Sequence, residues 1–291
     1  MDLSKRLLSK SFNFAYLLGS MLLLSNCQVF NNVQPDKGFI NDPITGYSDK
    51  REISIGTTNP IKIDLHQPQS LRGNPAEVVI LLHGGGWTSG DKSFLKPTVD
   101  MVINQRKNLA IVNMNYRLSG DTSDLLSLQL EDLELVTKYL ILNADKYNIR
   151  KDKFRLAGFS AGGHIALTYA YLTTETTISS VIGVSAPTEL TIKELLNKGL
   201  WPNVEKLIGA SYDVKENEVF KKASPFYLAS FRSPRTILVY GQRDDLVSTE
   251  QGILLANKLD LLRVPNSLKI IPQEGHEVSS QVAAQAIMEA Y

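Results

Sequence analysis

The sequence predicts an α/β fold in which an eight-stranded, mostly parallel sheet is flanked by helices, within a chain of 291 residues. Three observations carry that prediction. Apolar and β-branched runs alternate with helical patterns along the chain, the order that successive βαβ units produce. Two runs, Val78-Val79-Ile80-Leu81-Leu82 and Ile237-Leu238-Val239-Tyr240, are continuously apolar, as strands covered on both faces must be. A glycine-flanked serine, Gly158-Phe159-Ser160-Ala161-Gly162, stands where a strand pattern gives way to a helical one.

The amino terminus reads as a targeting segment. Lys5, Arg6 and Lys10 precede an apolar core at Phe14–Leu24. That core is about 11 residues, a signal-peptide length that falls short of the roughly 20 needed to cross a bilayer. Residues 1–26 are therefore assigned to a signal for export. Leu24-Ser25-Asn26-Cys27 is similar to a bacterial lipoprotein signal, although Asn26 departs from the small residue usual before the cysteine. The similarity implies lipidation at Cys27 and a membrane address; the rival is plain secretion with an incidental cysteine. Cys27 is the only cysteine, so an intramolecular disulfide is impossible. Residues 27–50, rich in Asn, Pro, Asp, Gly and Ser, read as a flexible tether, and residues 51–291 as one folded domain.

Strands are expected at Glu52–Gly56, Ile61–Leu65, Val78–Leu82, Leu109–Asn113, Phe154–Phe159, Val181–Ser185, Thr236–Tyr240 and Leu268–Ile271. Helices fit between them at Asp124–Tyr147, Ala161–Leu172, Thr249–Leu262 and Ser279–Glu289, the first capped by Ser123 or Asp124. Thr188–Ser233 is longer than an ordinary crossover and holds Trp201, Tyr212, Phe220, Phe226 and Tyr227. It reads as a small cap inserted after the sixth strand.

Chemistry concentrates at four places. A strand-to-helix turn at Ser160 would expose the hydroxyl above a helix amino terminus, which favours developing negative charge. His83-Gly84-Gly85-Gly86-Trp87 follows a strand, and its glycines leave backbone N–H groups free for a substrate oxygen. Gly85, Gly86 and Ala161 are the expected oxyanion donors, with one residue of slippage allowed in the glycine run. Only four histidines exist, at 66, 83, 164 and 276. His83 reads as an anchor of the glycine loop, and His164 lies four residues beyond Ser160 on the same helix. His276, in a loop after the last strand, is left as the general base, consistent with the order serine, acid, histidine. The acid should follow the penultimate strand, where Asp244 fits Gly-x-x-Asp-x-x-Val better than its neighbour Asp245.

These segments support a resemblance. From about Lys62 to the end the chain resembles the α/β-hydrolase superfamily, on the evidence of His83–Trp87, Gly90-Asp91-Lys92, Asn115-Tyr116-Arg117-Leu118, Gly158–Gly163, Gly241–Val247 and Gly275-His276. Within it, the chain is similar to the bacterial esterase/lipase branch that includes feruloyl and acetyl-xylan esterase-like proteins, kynurenine formamidase and the hormone-sensitive-lipase-like carboxylesterases. The last group usually carries Asp before the serine. Phe159 stands there in this chain, favouring the feruloyl/acetyl-esterase side.

The resemblance implies hydrolysis of a small carboxylic ester through an acyl-enzyme. Amide cleavage by the same site, and a surface binding module that has lost its chemistry, are the rivals. A formal net charge of +1 offers no electrostatic footprint for nucleic acid. Scattered histidines and the lack of a dinucleotide fingerprint give no reason to expect a metal or cofactor.

Overall fold

The computed structural model describes residues 38–290 except 44, 57–58, 70–73, 106–107, 119–123, 174–176 and 214–216. The signal, Cys27 and the first part of the tether lie outside the described residues. One sheet organises the rest: β1 Ile40–Asp42, β2 Tyr47–Ile55, β3 Ile61–Pro68, β4 Glu77–Leu82, β5 Leu109–Met114, β6 Phe154–Phe159, β7 Ile178–Val184, β8 Arg235–Gly241 and β9 Asn266–Ile271. Its order is β1-β2-β3-β5-β4-β6-β7-β8-β9. The β1–β2, β2–β3 and β3–β5 pairs are antiparallel, and every pair from β5 to β9 is parallel.

The count corrects the expected eight strands to nine. The extra strand and the start of β2 fall inside the stretch assigned to the tether. Its turn-forming residues close a hairpin, in which Gly46 takes φ of 73° and donates its N–H to the Asp42 carbonyl at 2.9 Å. Tyr47 is buried and donates its hydroxyl to the Leu109 carbonyl at 2.9 Å, tying the hairpin to β5. An edge hairpin has little apolar surface to bury, so composition alone makes it look like a linker.

Val78 to Leu82 on β4 have no exposed surface. The strand's side chains alternate between two cores, with Val78, Ile80 and Leu82 in one and Val79 and Leu81 in the other. Helices α2 (Leu125–Leu142), α4 (Ala161–Leu172) and α8 (Glu250–Leu261) cover the first face. Helices α1 (Lys96–Gln105) and α9 (Ser280–Glu289) pack together over the second. Sequence periodicity missed α1, which is short, carries Pro97 near its start and buries only Thr98, Val99, Val102 and Ile103. The single helix expected to Tyr147 ends at Leu142, capped at its start by Asp124 accepting from Ser127 N–H at 3.0 Å. A separate turn, α3 (Ala144–Tyr147), follows Asn143.

The insertion after β7 is a small cap. It contains α5 (Trp201–Ile208), α6 (Glu218–Lys222) and α7 (Pro225–Leu228). Trp201, Tyr212 and Phe220 pack edge to face or tilted on one another, with centroids 5.1–6.3 Å apart. Trp201 and Phe220 are buried in that cluster, so these rings hold the cap together. Among the described residues no helix is long and apolar enough to cross a membrane.

Candidate active site

Every chemically marked segment sits just beyond the carboxyl end of a parallel strand, the edge where open α/β sheets place their ligands. Ser160 follows β6, the glycine loop follows β4, Asp244 follows β8 and His276 follows β9.

The turn at Ser160 is strained. Its φ is 50° and ψ is −118°, a region L-residues avoid at a cost of about 1–3 kcal/mol. Surrounding contacts hold it there: Ser160 N–H donates to the Val184 carbonyl at 2.7 Å, and His164 N–H donates to the Ser160 carbonyl at 3.0 Å. The flanking glycines are required by close approach. A Cβ at Gly158 would lie 2.2 Å from the Gly162 carbonyl oxygen, and one at Gly162 would lie 2.3 Å from that of His83.

From this turn a hydrogen-bonded chain runs through two loops. The Ser160 Oγ lies 2.9 Å from His276 Nε2, and His276 Nδ1 lies 2.8 Å from Asp244 Oδ2. The Asp244 side chain is fully buried and that of His276 is 15% exposed. The second oxygen of Asp244 accepts the N–H groups of Leu246 at 2.9 Å and Val247 at 2.8 Å. Those two donors orient the carboxylate, leaving Oδ2 for the imidazole. Asp245 is exposed and does not reach the histidine; its carbonyl accepts from the Asn197 side chain. Such a chain can accept the proton of the serine hydroxyl at Nε2 while the carboxylate steadies the resulting imidazolium.

The glycine loop lies against the serine. A Cβ at Gly84 would stand 3.4 Å from Ser160 Cβ, whereas Gly86 abuts Asn203 and Leu200 of the cap. No acceptor among the described residues takes the N–H of Gly85, Gly86 or Ala161. The contact with Ser160 brings Gly84 into the group of candidate donors beside the expected Gly85 and Gly86.

The other histidines are accounted for. His83 is buried, its Nδ1 lies 2.6 Å from the Gly84 carbonyl, and its ring stacks on Tyr116 at 4.3 Å. Burial depresses its pKa, partly opposed by that carbonyl. His164 is buried beneath the site, and His66 pairs with Asp49 between β2 and β3. Among the described residues no cluster of three His, Cys, Asp or Glu side chains is disposed to hold a metal ion.

Several further residues support the site, Ser185 and Gln129 without a sequence signal of their own. Ser185, with φ of 49°, donates its hydroxyl to the His276 carbonyl at 2.8 Å. Gln129 donates its side-chain amide to the carbonyls of Trp87 (2.9 Å) and Arg117 (2.8 Å). Asp91 caps the turn after the glycine loop and accepts from Asn115 at 2.8 Å. Burial alone would raise its pKa, but hydrogen bonds from Ser93 and Asn115 with the charge of Lys92 outweigh this and lower it to about 2. The cap is stitched to the acid loop by Asn197 N–H to the Leu246 carbonyl (2.8 Å) and Ser248 N–H to that of Leu195 (3.0 Å).

Known proteins are similar to this chain. The BD-FAE family model matches residues 63–259. An esterase of Gibberella moniliformis is 26% identical over 239 residues, covering 76% of this chain and 72% of that protein. Versiconal hemiacetal acetate esterase of Dothistroma septosporum is 32% identical over 124 residues, 43% of this chain and 37% of its own length. Esterase B of Lactobacillus rhamnosis, at 20% identity, shares the fold with a TM-score of 0.69 over 86% of this chain and 85% of that one. The chain belongs to the BD-FAE family and stands in the esterase branch of the α/β-hydrolases.

Proposed function

We propose that this protein is a serine carboxylesterase acting on short-chain esters, acetyl or feruloyl esters among them. The observation that carries the reading is the unbroken chain Asp244–His276–Ser160 behind a strained serine. Ser160 Oγ attacks the ester carbonyl and its proton passes to His276 Nε2. N–H groups of the glycine run and of Ala161 stabilise the oxyanion, which in such sites contributes about 10²–10³ in turnover per donor. His276 returns the proton to the departing alkoxide, which leaves as the alcohol. It then takes a proton from water, whose oxygen attacks the acyl-enzyme, and passes that proton to Ser160 Oγ as the acyl–oxygen bond breaks and the acid leaves. A panel of p-nitrophenyl esters and anilides tests the reading; turnover of anilides in preference to esters would move it to amide hydrolysis.

Acyl preference follows from the cap. Its aromatic rings are spent on packing one another, and Asn203 and Leu200 crowd the glycine loop, which supports a compact acyl site. The acetate named for the Dothistroma relative is in keeping with this. The expected result is a higher kcat/KM on acetate and butyrate esters than on laurate or palmitate; the reverse order would replace the compact site with a deep one.

Export and lipidation at Cys27 complete the proposal. Each buried methylene contributes about 0.8 kcal/mol to membrane affinity, so several acyl chains hold where one holds only marginally. In a bacterial host the wild type is expected in the detergent-extracted membrane fraction. Cys27→Ser should lose both that partition and incorporation of labelled fatty acid. Equal release of both forms into the soluble fraction would make the cysteine incidental.

A further inference from the structure

His164 is a buried titratable group at the site that the proposed mechanism does not use. It has no exposed surface and lies one turn into α4, the helix that opens at Ser160. Its two ring nitrogens reach different parts of the site. Trp87 Nε1 donates to His164 Nδ1 at 3.1 Å, and His164 Nε2 lies 2.8 Å from the Ala223 carbonyl. A carbonyl can only accept and an indole N–H can only donate, so the pair of contacts selects one form of the ring, neutral with its proton on Nε2. Burial favours the same form, lowering the pKa to about 4.

The two contacts join elements that no strand or helix joins. Trp87 ends the glycine loop, in a left-handed conformation with φ of 63°, and its indole stands edge-on to the imidazole at 5.4 Å. Ala223 lies in the cap between α6 and α7. We propose that His164 is a positioning residue, a fixed strut that sets the oxyanion loop and the cap at their distance from the Ser160 turn. This rests on the serine-hydrolase reading above. Loops built from three consecutive glycines do not hold N–H groups in place by themselves, since glycine leaves the backbone its widest freedom. In this loop the Gly84 carbonyl meets His83 and the Gly85 carbonyl accepts from Thr88 and Ser89, while Trp87 is held from outside the loop, through its carbonyl by Gln129 and through its indole by His164.

The test separates the two arms of the strut. Asparagine at 164 puts an amide oxygen near the Nδ1 position, where it can accept from Trp87, and gives up Ala223. Glutamine reaches Ala223 and strands the indole. Trp87→Phe keeps an aromatic ring and removes the donor together with part of the indole's volume. The readout is the rate at which a fluorophosphonate ester labels Ser160, because its phosphoryl oxygen enters the oxyanion hole whatever the natural substrate is. His164→Gln and Trp87→Phe are expected to slow labelling about 10- to 100-fold, the scale of a misplacement near 1 Å. His164→Asn should stay within about threefold of wild type, and His164→Gln combined with Trp87→Phe should be no slower than either alone. A residue that only fills space would lower the melting temperature of the Asn and Gln variants alike and leave labelling of the folded protein unchanged; that result overturns the proposal. Should the His164 variants fail to fold, Trp87→Phe decides alone, with wild-type labelling counting against the strut. Failure of the wild type to react would instead sink the serine-hydrolase reading and this one with it.

Discussion

Ser160→Ala is expected to abolish ester hydrolysis, with turnover falling by about six orders of magnitude, the loss seen when a whole triad member is removed. The fold should not notice. Among the described residues the Ser160 side chain bonds only His276, and the hydroxyl is not part of either core. The strained backbone at this position is held by main-chain bonds to Val184 and His164 that alanine keeps. The melting temperature should stay within a few degrees or rise slightly, as happens when a group placed for function is removed. Steady-state hydrolysis of p-nitrophenyl acetate and a thermal melt of the same sample measure both. More than a few per cent of residual turnover would assign the nucleophile elsewhere.

Asp244→Asn is expected to cost roughly 10⁴ in turnover, the scale found when the acid behind a catalytic histidine becomes an amide. The local bonds say why. The N–H groups of Leu246 and Val247 both point at Oδ1 and would keep the amide oxygen on that side. The NH₂ group would then face His276 Nδ1 as a donor. The ring would have to carry its proton on Nε2, which faces Ser160 and could no longer accept from it. Asp245→Asn, at an exposed position whose backbone rather than side chain meets Asn197, should stay within about twofold of wild type. Comparing kcat for the two variants decides between them, and the opposite order would move the acid to Asp245.

Much of the fold was legible because parallel strands covered on both faces must be continuously apolar. All eight expected strands are present, Val78–Leu82 and Ile237–Tyr240 read from such runs, and α4 begins and ends at the residues expected. Strand β1 was missed because it lies at the sheet edge and buries little, which left hydrophobic periodicity almost nothing to register.

The site divides along the same line. Ser160 and the glycine loop were readable locally, because a strained turn and a close backbone approach admit few residues other than glycine around them. His276 came from elimination among four histidines. The choice between Asp244 and Asp245 rested on spacing; only the folded loop shows which of two adjacent carboxylates turns inward to meet the imidazole.

Ser185, Gln129, Asn203 and His164 left no trace in the pattern. Each acts through a partner 12 to 91 residues away for the hydrogen bonds at stake, and in Asn203 through contact with a glycine. By itself the sequence determined the strand order of the marked segments along the chain, the strained turn at Ser160 and the class of fold, since these depend on backbone conformation and local burial. Tertiary structure alone decided which side chains brace the site, because a hydrogen bond between distant segments depends on where the sheet brings them together and on nothing either segment displays in isolation.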